Sequence, residues 1–273
     1  MVNLRFVSAS CLFLSIFLVV ALSNTALAEE SAAPSYPELF VDDVQHVLSA
    51  PARWDKDDWH TLGWASLAVV GTAVVFDDHL RSVMREHNDG NNQFMLQVER
   101  FGSEYAWGVL GGFYLAGSLS DDSRAVAVAQ DGLTASFIAS GLVTPALKYA
   151  AGRSRPNDNG GTDDTFTFKP FSGAASFPSG HTTEAFALAA VISAHYEEES
   201  WVKYFTFGVA GMVGLARSYH GGHYASDIVA GAMIGTLVGQ SVVAHNQPQR
   251  GRKTLIIPET TAGIIGLRLV GNF

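Results

Sequence analysis

Cysteine is all but missing from this 273-residue chain. The single thiol, Cys11, sits in an apolar run from Cys11 to Leu22 that follows Arg5 and precedes Ala26-Leu27-Ala28. A basic start, an apolar centre and a small-residue site mark a secretory signal peptide, so cleavage is expected after Ala28 and export to the periplasm or another extracytoplasmic space follows. Without Cys11 the mature chain has no thiol and forms no disulfide. Basic charge is scarce too: without Arg5, 16 Lys and Arg stand against 26 Asp and Glu, a net charge of about −10. So acidic a chain lacks the footprint of a nucleic-acid binder. Very long apolar runs are also lacking. Leu62 to Phe76, Leu133 to Leu147 and Asp227 to Ala244 are apolar, but uninterrupted runs stay near about 15 to 17 residues, below the roughly 20 that cross a hydrocarbon core. Asp77-Asp78, Asp121-Asp122 and Glu197 to Glu199 bound them. The expectation is a soluble or peripherally attached bundle, with an integral inner-membrane protein as the alternative. Internal repeats and low-complexity segments are absent.

What the chain does have is a series of Ala/Gly-rich apolar segments at helical spacing. They predict helices near residues 37–49, 60–76, 92–119 with room for a break, 123–151, 181–197, 201–217 and 224–245. Strand patterns are scarce before residue 250, and Thr254 to Phe273, broken by Pro258 and Gly263, predicts a short β-hairpin. The expected fold is all-α. Residues 1–28 form the signal peptide, 29–59 an N-terminal segment with a short helix, 60–247 a bundle of about six core helices, and 248–273 the hairpin or tail.

Three short clusters carry chemistry: Lys148 with Arg155-Pro156, then Pro178-Ser179-Gly180-His181, then Arg217 with His223 and Asp227. A phosphoryl group in transit spreads charge over three equatorial oxygens, so its catalysis rests on positioning and electrostatic stabilisation. Lys148, Arg155 and Arg217 supply that charge, arginine as a planar fork and lysine as a point charge. Ser179 and the N–H groups of Gly180 and His181 fall at an expected helix start, where free N–H groups bind anions. His223 and Asp227 are spaced i, i+4, so one helical face holds both. A carboxylate on Nδ1–H leaves Nε2 free to attack phosphorus, and His181 is then the general acid.

The spacing Lys148-x6-Arg155-Pro156, Pro178-Ser179-Gly180-His181 and Arg217-x5-His223-x3-Asp227 resembles the three-part signature of the type 2 phosphatidic acid phosphatase and haloperoxidase superfamily. The resemblance covers residues 60 to 245. It implies a helical bundle of the acid phosphatase/haloperoxidase type and metal-free hydrolysis of phosphomonoesters or diphosphates, with no cofactor. His223 is the implied nucleophile and His181 the implied acid. The implied partner is a phosphorylated lipid, isoprenyl diphosphate or small phosphate ester, with membrane association. One position departs, since Ala216 stands where the family usually has Ser; Ser218 lies two residues on. Two other readings follow from the same residues. One is a haloperoxidase holding vanadate on His223, which the short chain argues against. The other is a non-catalytic anion-binding scaffold, which has no use for a nucleophile and an acid.

Other residues read more plainly. His220 in His220-Gly221-Gly222-His223 lacks a third soft ligand and reads as structural or substrate-lining rather than metal-binding. Asn88-Asp89-Gly90-Asn91-Asn92 reads as a turn, because the acid a calcium loop needs falls at Glu99 without alternating oxygen ligands. Trp54 and Trp59 suit a core edge or a membrane interface. Residues 157–177, with Asp158, Asp163, Asp164, Phe166, Phe168 and Phe171, form a surface loop or a substrate gate between two motifs.

Overall fold

The structure, a computed structural model, describes residues 34–88, 92–158 and 164–250, and the backbone of 255–261 and 264–270. The expected signal peptide, residues 89–91 of the turn, and Asp163 lie outside the described residues. The helices are α1 (Tyr36–Ser49), α2 (Lys56–His87), α3 (Gln93–Glu99), α4 (Glu104–Ser120), α5 (Ser123–Ser136), α6 (Thr144–Ala151), α7 (Gly180–His195), α8 (Ser200–Tyr219) and α9 (Ala225–Arg250). The chain is an all-α helical bundle, as its periodicity predicts. At the C-terminus the backbones of β1 (Leu255–Thr261) and β2 (Ile264–Val270) pair antiparallel, and the helical fold is complete without them.

Short polar signals start these helices. Asp55 accepts from the N–H groups of Asp57 (2.8 Å) and Asp58 (3.0 Å), while its own N–H donates to Asp58 Oδ2 (3.0 Å). This reciprocal cap sets the start of α2 at Lys56, four residues before the expected domain boundary at 60. Asp122 caps α5 in the same way, by accepting from Arg124 N and Ala125 N. Between α5 and α6 the residues Phe137–Val143 form a π-helical turn. Pro145 at the start of α6 has no N–H and crowds the carbonyl four residues back, which is the local cause of such a widened turn.

α2 differs most from expectation. Asp77-Asp78 reads as a stop, yet the helix runs on to His87, 32 residues in all. Asp77 is buried, and its carboxylate is consumed by Arg153 and Ser226, so its charge does not end the helix. The stretches Lys56–His87, Ser123–Ala151 and Ala225–Arg250 are each long and apolar enough to cross a membrane. α2 also leaves its apolar face uncovered, with Trp64 72% and Val74 69% exposed. Contiguous apolar faces of this kind mark a membrane or partner surface. The helices support membrane association, which the expectation of a soluble or peripherally attached bundle, with an integral one as the alternative, leaves open.

α7 lies at the centre, flanked by α9, α8 and α5. α9 approaches it through Gly231, Gly235 and Gly239, one turn apart. A Cβ on Gly235 would lie 2.2 Å from the Thr183 carbonyl oxygen, and one on Gly231 2.6 Å from that of Ser179. Small residues at this spacing let helix backbones close up. Gly235→Ala is expected to destabilise by about 2 kcal/mol through overpacking. Gly208→Ala on α8, where nothing lies within 4 Å, should hold or raise stability. Thermal unfolding of the two variants in detergent checks the contrast.

Candidate active site

The segment after α6 is built to deliver charge. Gly152 ends α6 at φ +57° and packs against the Lys169 carbonyl, and the chain then passes through Arg153, Ser154 and Arg155. Residues 164–177, the described part of the expected gate, are tied to this segment along their length. Ser154 N donates to Thr167 O (3.2 Å), Lys169 N to Gly152 O (3.0 Å) and Ser176 N to Arg153 O (2.9 Å). Their arrangement is that of a strap fastened beside the site. Lys148, half-buried, donates to the Ala175 carbonyl at 2.5 Å. Its Cε lies 3.9 Å from where a Gly180 Cβ would stand, so Lys148 faces the start of α7.

α7 begins at Gly180 with Ser179 as its extended N-cap, where sequence reasoning puts the helix start. Ser179 is fully buried; its Oγ accepts from Thr182 Oγ1 (2.8 Å), and its N–H donates to the Asp227 carbonyl (3.0 Å), locking the second cluster to the third. The third cluster closes on the first through Asn157. Asn157 Nδ2 donates to His220 O (2.9 Å) and Asn157 N to Gly221 O (3.3 Å), and Gly221 adopts φ +63° with no room for a Cβ beside Asn157. Lys148, Arg155, His181, Arg217 and His223 are thus brought into one electrostatic neighbourhood.

Arg217 is not idle in that neighbourhood. Its Nη1 donates to Glu99 Oε2 at 2.7 Å, and the same oxygen lies 2.9 Å from His220 Nδ1. Glu99, at the end of α3, therefore holds both the third-cluster arginine and His220, which explains His220 as a structural residue. Gly222 supports the same guanidinium, since a Cβ there would come 2.7 Å from Arg217 Nη2. Ala216 is fully buried among Ala185, Ala189 and Val213, in an apolar cluster. Its methyl faces the core, and Ser218 lines a cavity beside His223.

His223 and Asp227 are neighbours with a gap between them. His223 Nδ1 lies 3.7 Å from Asp227 Oδ2, longer than a hydrogen bond, and is buried with no hydrogen-bond partner. The carboxylate is already engaged: Oδ2 accepts from Ser176 Oγ (2.6 Å) and Tyr224 N (2.9 Å), and Oδ1 from Arg153 (2.6 Å). Asp227 sits in the first turn of α9 and reaches back to the residue before it, a capping role alongside its place beside the imidazole. Burial pushes the His223 imidazole down to about 4, against the opposing pull of Asp227. Burial, and after it the charge of Arg217, holds His181 near 3. Both rings are neutral at neutral pH.

Arg153 is the residue that sequence reasoning missed. Its side chain is almost fully buried and spends every donor: Nη1 on Ser226 Oγ and Asp227 Oδ1, Nη2 on Asp77 Oδ2 and Thr165 O, Nε on Thr165 O. Tyr224 and Phe168 cover its faces at 4.0 and 5.0 Å. The signals were present, an arginine two residues before Arg155 and an acid inside an apolar helix, but nothing local pairs them.

The comparisons with known proteins fall on this same region. A family model described as the PAP2 superfamily matches residues 132–250. Two lipid A 1-phosphatases are each 38% identical to the chain: that of Porphyromonas gingivalis over 101 residues, covering 37% of this chain and 20% of the relative, and that of Rhizobium etli over 109, covering 38% and 44%. Lipid phosphate phosphatase 1 of Arabidopsis thaliana is 33% identical over 134 residues, covering 39% and 41%. The chain spans less than half the length of each of these relatives. Residues 132–250, which match the PAP2 superfamily model, hold all three clusters.

Proposed function

We propose that the chain is a metal-independent phosphatase that releases inorganic phosphate from a lipid phosphate through a phosphohistidine on His223. The observation that carries this reading is the convergence of three cations, Lys148, Arg155 and Arg217, on one neighbourhood with two neutral histidines, His223 buried and His181 part-buried, and a helix start. The relatives named for lipid A and lipid phosphate, and the uncovered apolar face of α2, favour a substrate presented from a membrane. The expected export through a signal peptide puts the site on the extracytoplasmic side.

In the proposed reaction, the Nε2 lone pair of His223 forms a bond to phosphorus as the bond to the alkoxide breaks, and His181 passes a proton to the departing oxygen. Water then attacks the phosphohistidine, giving its proton to His181 and freeing His223. Lys148, Arg155, Arg217 and the N–H groups of Gly180 and His181 stabilise the charge on the equatorial oxygens. Neutral His181 is by itself a poor acid. The negative charge of the bound phosphate, beside the imidazole, raises its proton affinity, so the acid is armed by the substrate.

The test is phosphate release from an aryl phosphate and phosphatidate in detergent with excess EDTA. Release that persists in EDTA and vanishes in His223→Ala supports the reading; dependence on added metal overturns its metal-free part. The pH profile is a separate check. His223 attacks only when neutral, so kcat/KM should fall as pH drops through its folded value, with an acidic limb near pH 4. The substrate's second ionisation bends the profile near about pH 6, whereas the enzyme's limb stays put when the ester is changed. A limb that moves with the ester would remove His223 as its source.

A further inference from the structure

Glu99 reaches the phosphate site from outside residues 132–250, the segment that matches the family model. It ends α3, and one oxygen of its carboxylate serves two donors. Oε2 accepts from Arg217 Nη1 at 2.7 Å and lies 2.9 Å from His220 Nδ1. Burial would raise this carboxyl, but the charge of Arg217 and the His220 hydrogen bond hold it below the usual carboxylate range. Glu99 is therefore an anion at neutral pH. By charge alone it opposes a phosphate nearby, so any use to the site has to be geometric.

The geometry is that of a clamp on one arginine. With Nη1 spent on Glu99, the fork that remains is the side edge, made of Nε–H and the adjacent N–H of Nη2. Nε is buried and donates to no acceptor among the described residues. Gly222 leaves room for the same edge, since a Cβ there would come 2.7 Å from Nη2. A buried N–H without an acceptor is costly, and two oxygens of one phosphate would satisfy Nε and Nη2 together.

The core holds this clamp in place. Val98, just before Glu99, and Ala216, just before Arg217, are buried in one apolar cluster with Ala185 and Val213. Asn157 Nδ2 donates to the His220 carbonyl at 2.9 Å, which ties the backbone of the second donor to the first cluster. Gly102 closes the corner between α3 and α4 onto α7, because a Cβ there would lie 2.3 Å from the His181 carbonyl oxygen. The segment from Glu99 to Gly102 thus touches the backbone of the proposed acid and the side chain of one phosphate cation.

We propose that Glu99 is a positioning residue for the reaction: by holding Nη1 of Arg217 it presents the Nε and Nη2 edge of the guanidinium to the phosphate that His223 attacks. The assignment rests on the phosphatase reading above and adds α3 to the site.

The test is a double-mutant cycle between Glu99 and Arg217, read as kcat/KM on an aryl phosphate. Glu99→Ala, which releases the guanidinium, should lose about 100-fold, the scale of a misplaced catalytic contact. Glu99→Gln keeps an oxygen acceptor for Nη1 and should stay within about tenfold of wild type. In an Arg217→Ala background, with no guanidinium to position, Glu99→Ala should change kcat/KM by less than about twofold. A Glu99 that only offsets charge gives the reverse sign: both Glu99 variants gain activity, because the phosphate meets one anion fewer. That gain, equal losses in Glu99→Ala and Glu99→Gln, or an undiminished loss in the Arg217→Ala background would each overturn the role. Calorimetry with vanadate, a mimic of the transferring phosphoryl group, separates this from failure of the phosphatase reading. Glu99→Ala should weaken vanadate binding about 100-fold when Arg217 is present and less than about twofold when it is absent. That pattern without turnover keeps the positioning and removes the reaction; turnover with vanadate affinity unchanged in Glu99→Ala removes the positioning and keeps the reaction.

Discussion

Replacing His223 by alanine is expected to lower phosphate release by on the order of 10⁴-fold or more, the scale set by removal of a nucleophile that acts with its partners as a unit. Stability should change far less, because the imidazole has no hydrogen bond to lose at Nδ1 and the nearby carboxylate of Asp227 keeps Ser176, Tyr224 and Arg153. His181→Ala separates the two histidines. It should slow a poor leaving group, such as the alkoxide of phosphatidate, more than an activated aryl phosphate, whose departing oxygen needs no proton. Acid-quench trapping of labelled enzyme reads the intermediate directly. A phosphoenzyme that forms in wild type and not in His223→Ala supports the assignment, and residual activity within tenfold of wild type in His223→Ala would remove it.

Arg153→Met is expected to cost about 3–5 kcal/mol of folding stability, a large share of the roughly 5–15 kcal/mol that holds a domain together. Two buried carboxylates, Asp77 and Asp227, depend on this one guanidinium, and removing it leaves both charges in an apolar interior. Arg155→Ala supplies the contrast. Arg155 is only part-buried and forms no ion pair among the described residues, so its loss should shift stability by about 0.5 kcal/mol or less while reducing kcat/KM. Thermal unfolding in detergent, read beside phosphate release, distinguishes the two arginines of Arg153-Ser154-Arg155. Equal unfolding temperatures for the two variants would contradict the role given to Arg153.

The two arginines also show how far the sequence could be read. Arg155 was legible because its spacing from Lys148 and its following proline form a local pattern. Arg153 was not, because its partners Asp77 and Asp227 lie 76 and 74 residues away along the chain. The same limit applies to Glu99. It was noticed only as the wrong end of a calcium loop, whereas in three dimensions it holds Arg217 and His220. The uncovered face of α2 was hidden for a related reason: Asp77-Asp78 looked like a terminator until burial supplied Asp77 with partners.

By itself, the sequence determined the all-α class, the order and rough bounds of the helices, the helix start at Gly180 and the three clusters that mark the family. Each of these depends on residues within a few turns of one another, where periodicity, caps and spacing act directly. Only the tertiary structure decided which cation is spent on structure and which faces the site, that Asp227 is shared among Arg153, Ser176 and Tyr224, and that Ala216 turns to the core. A charge is stabilised by whatever folding brings within a few ångströms of it, and distance along the chain does not constrain that choice.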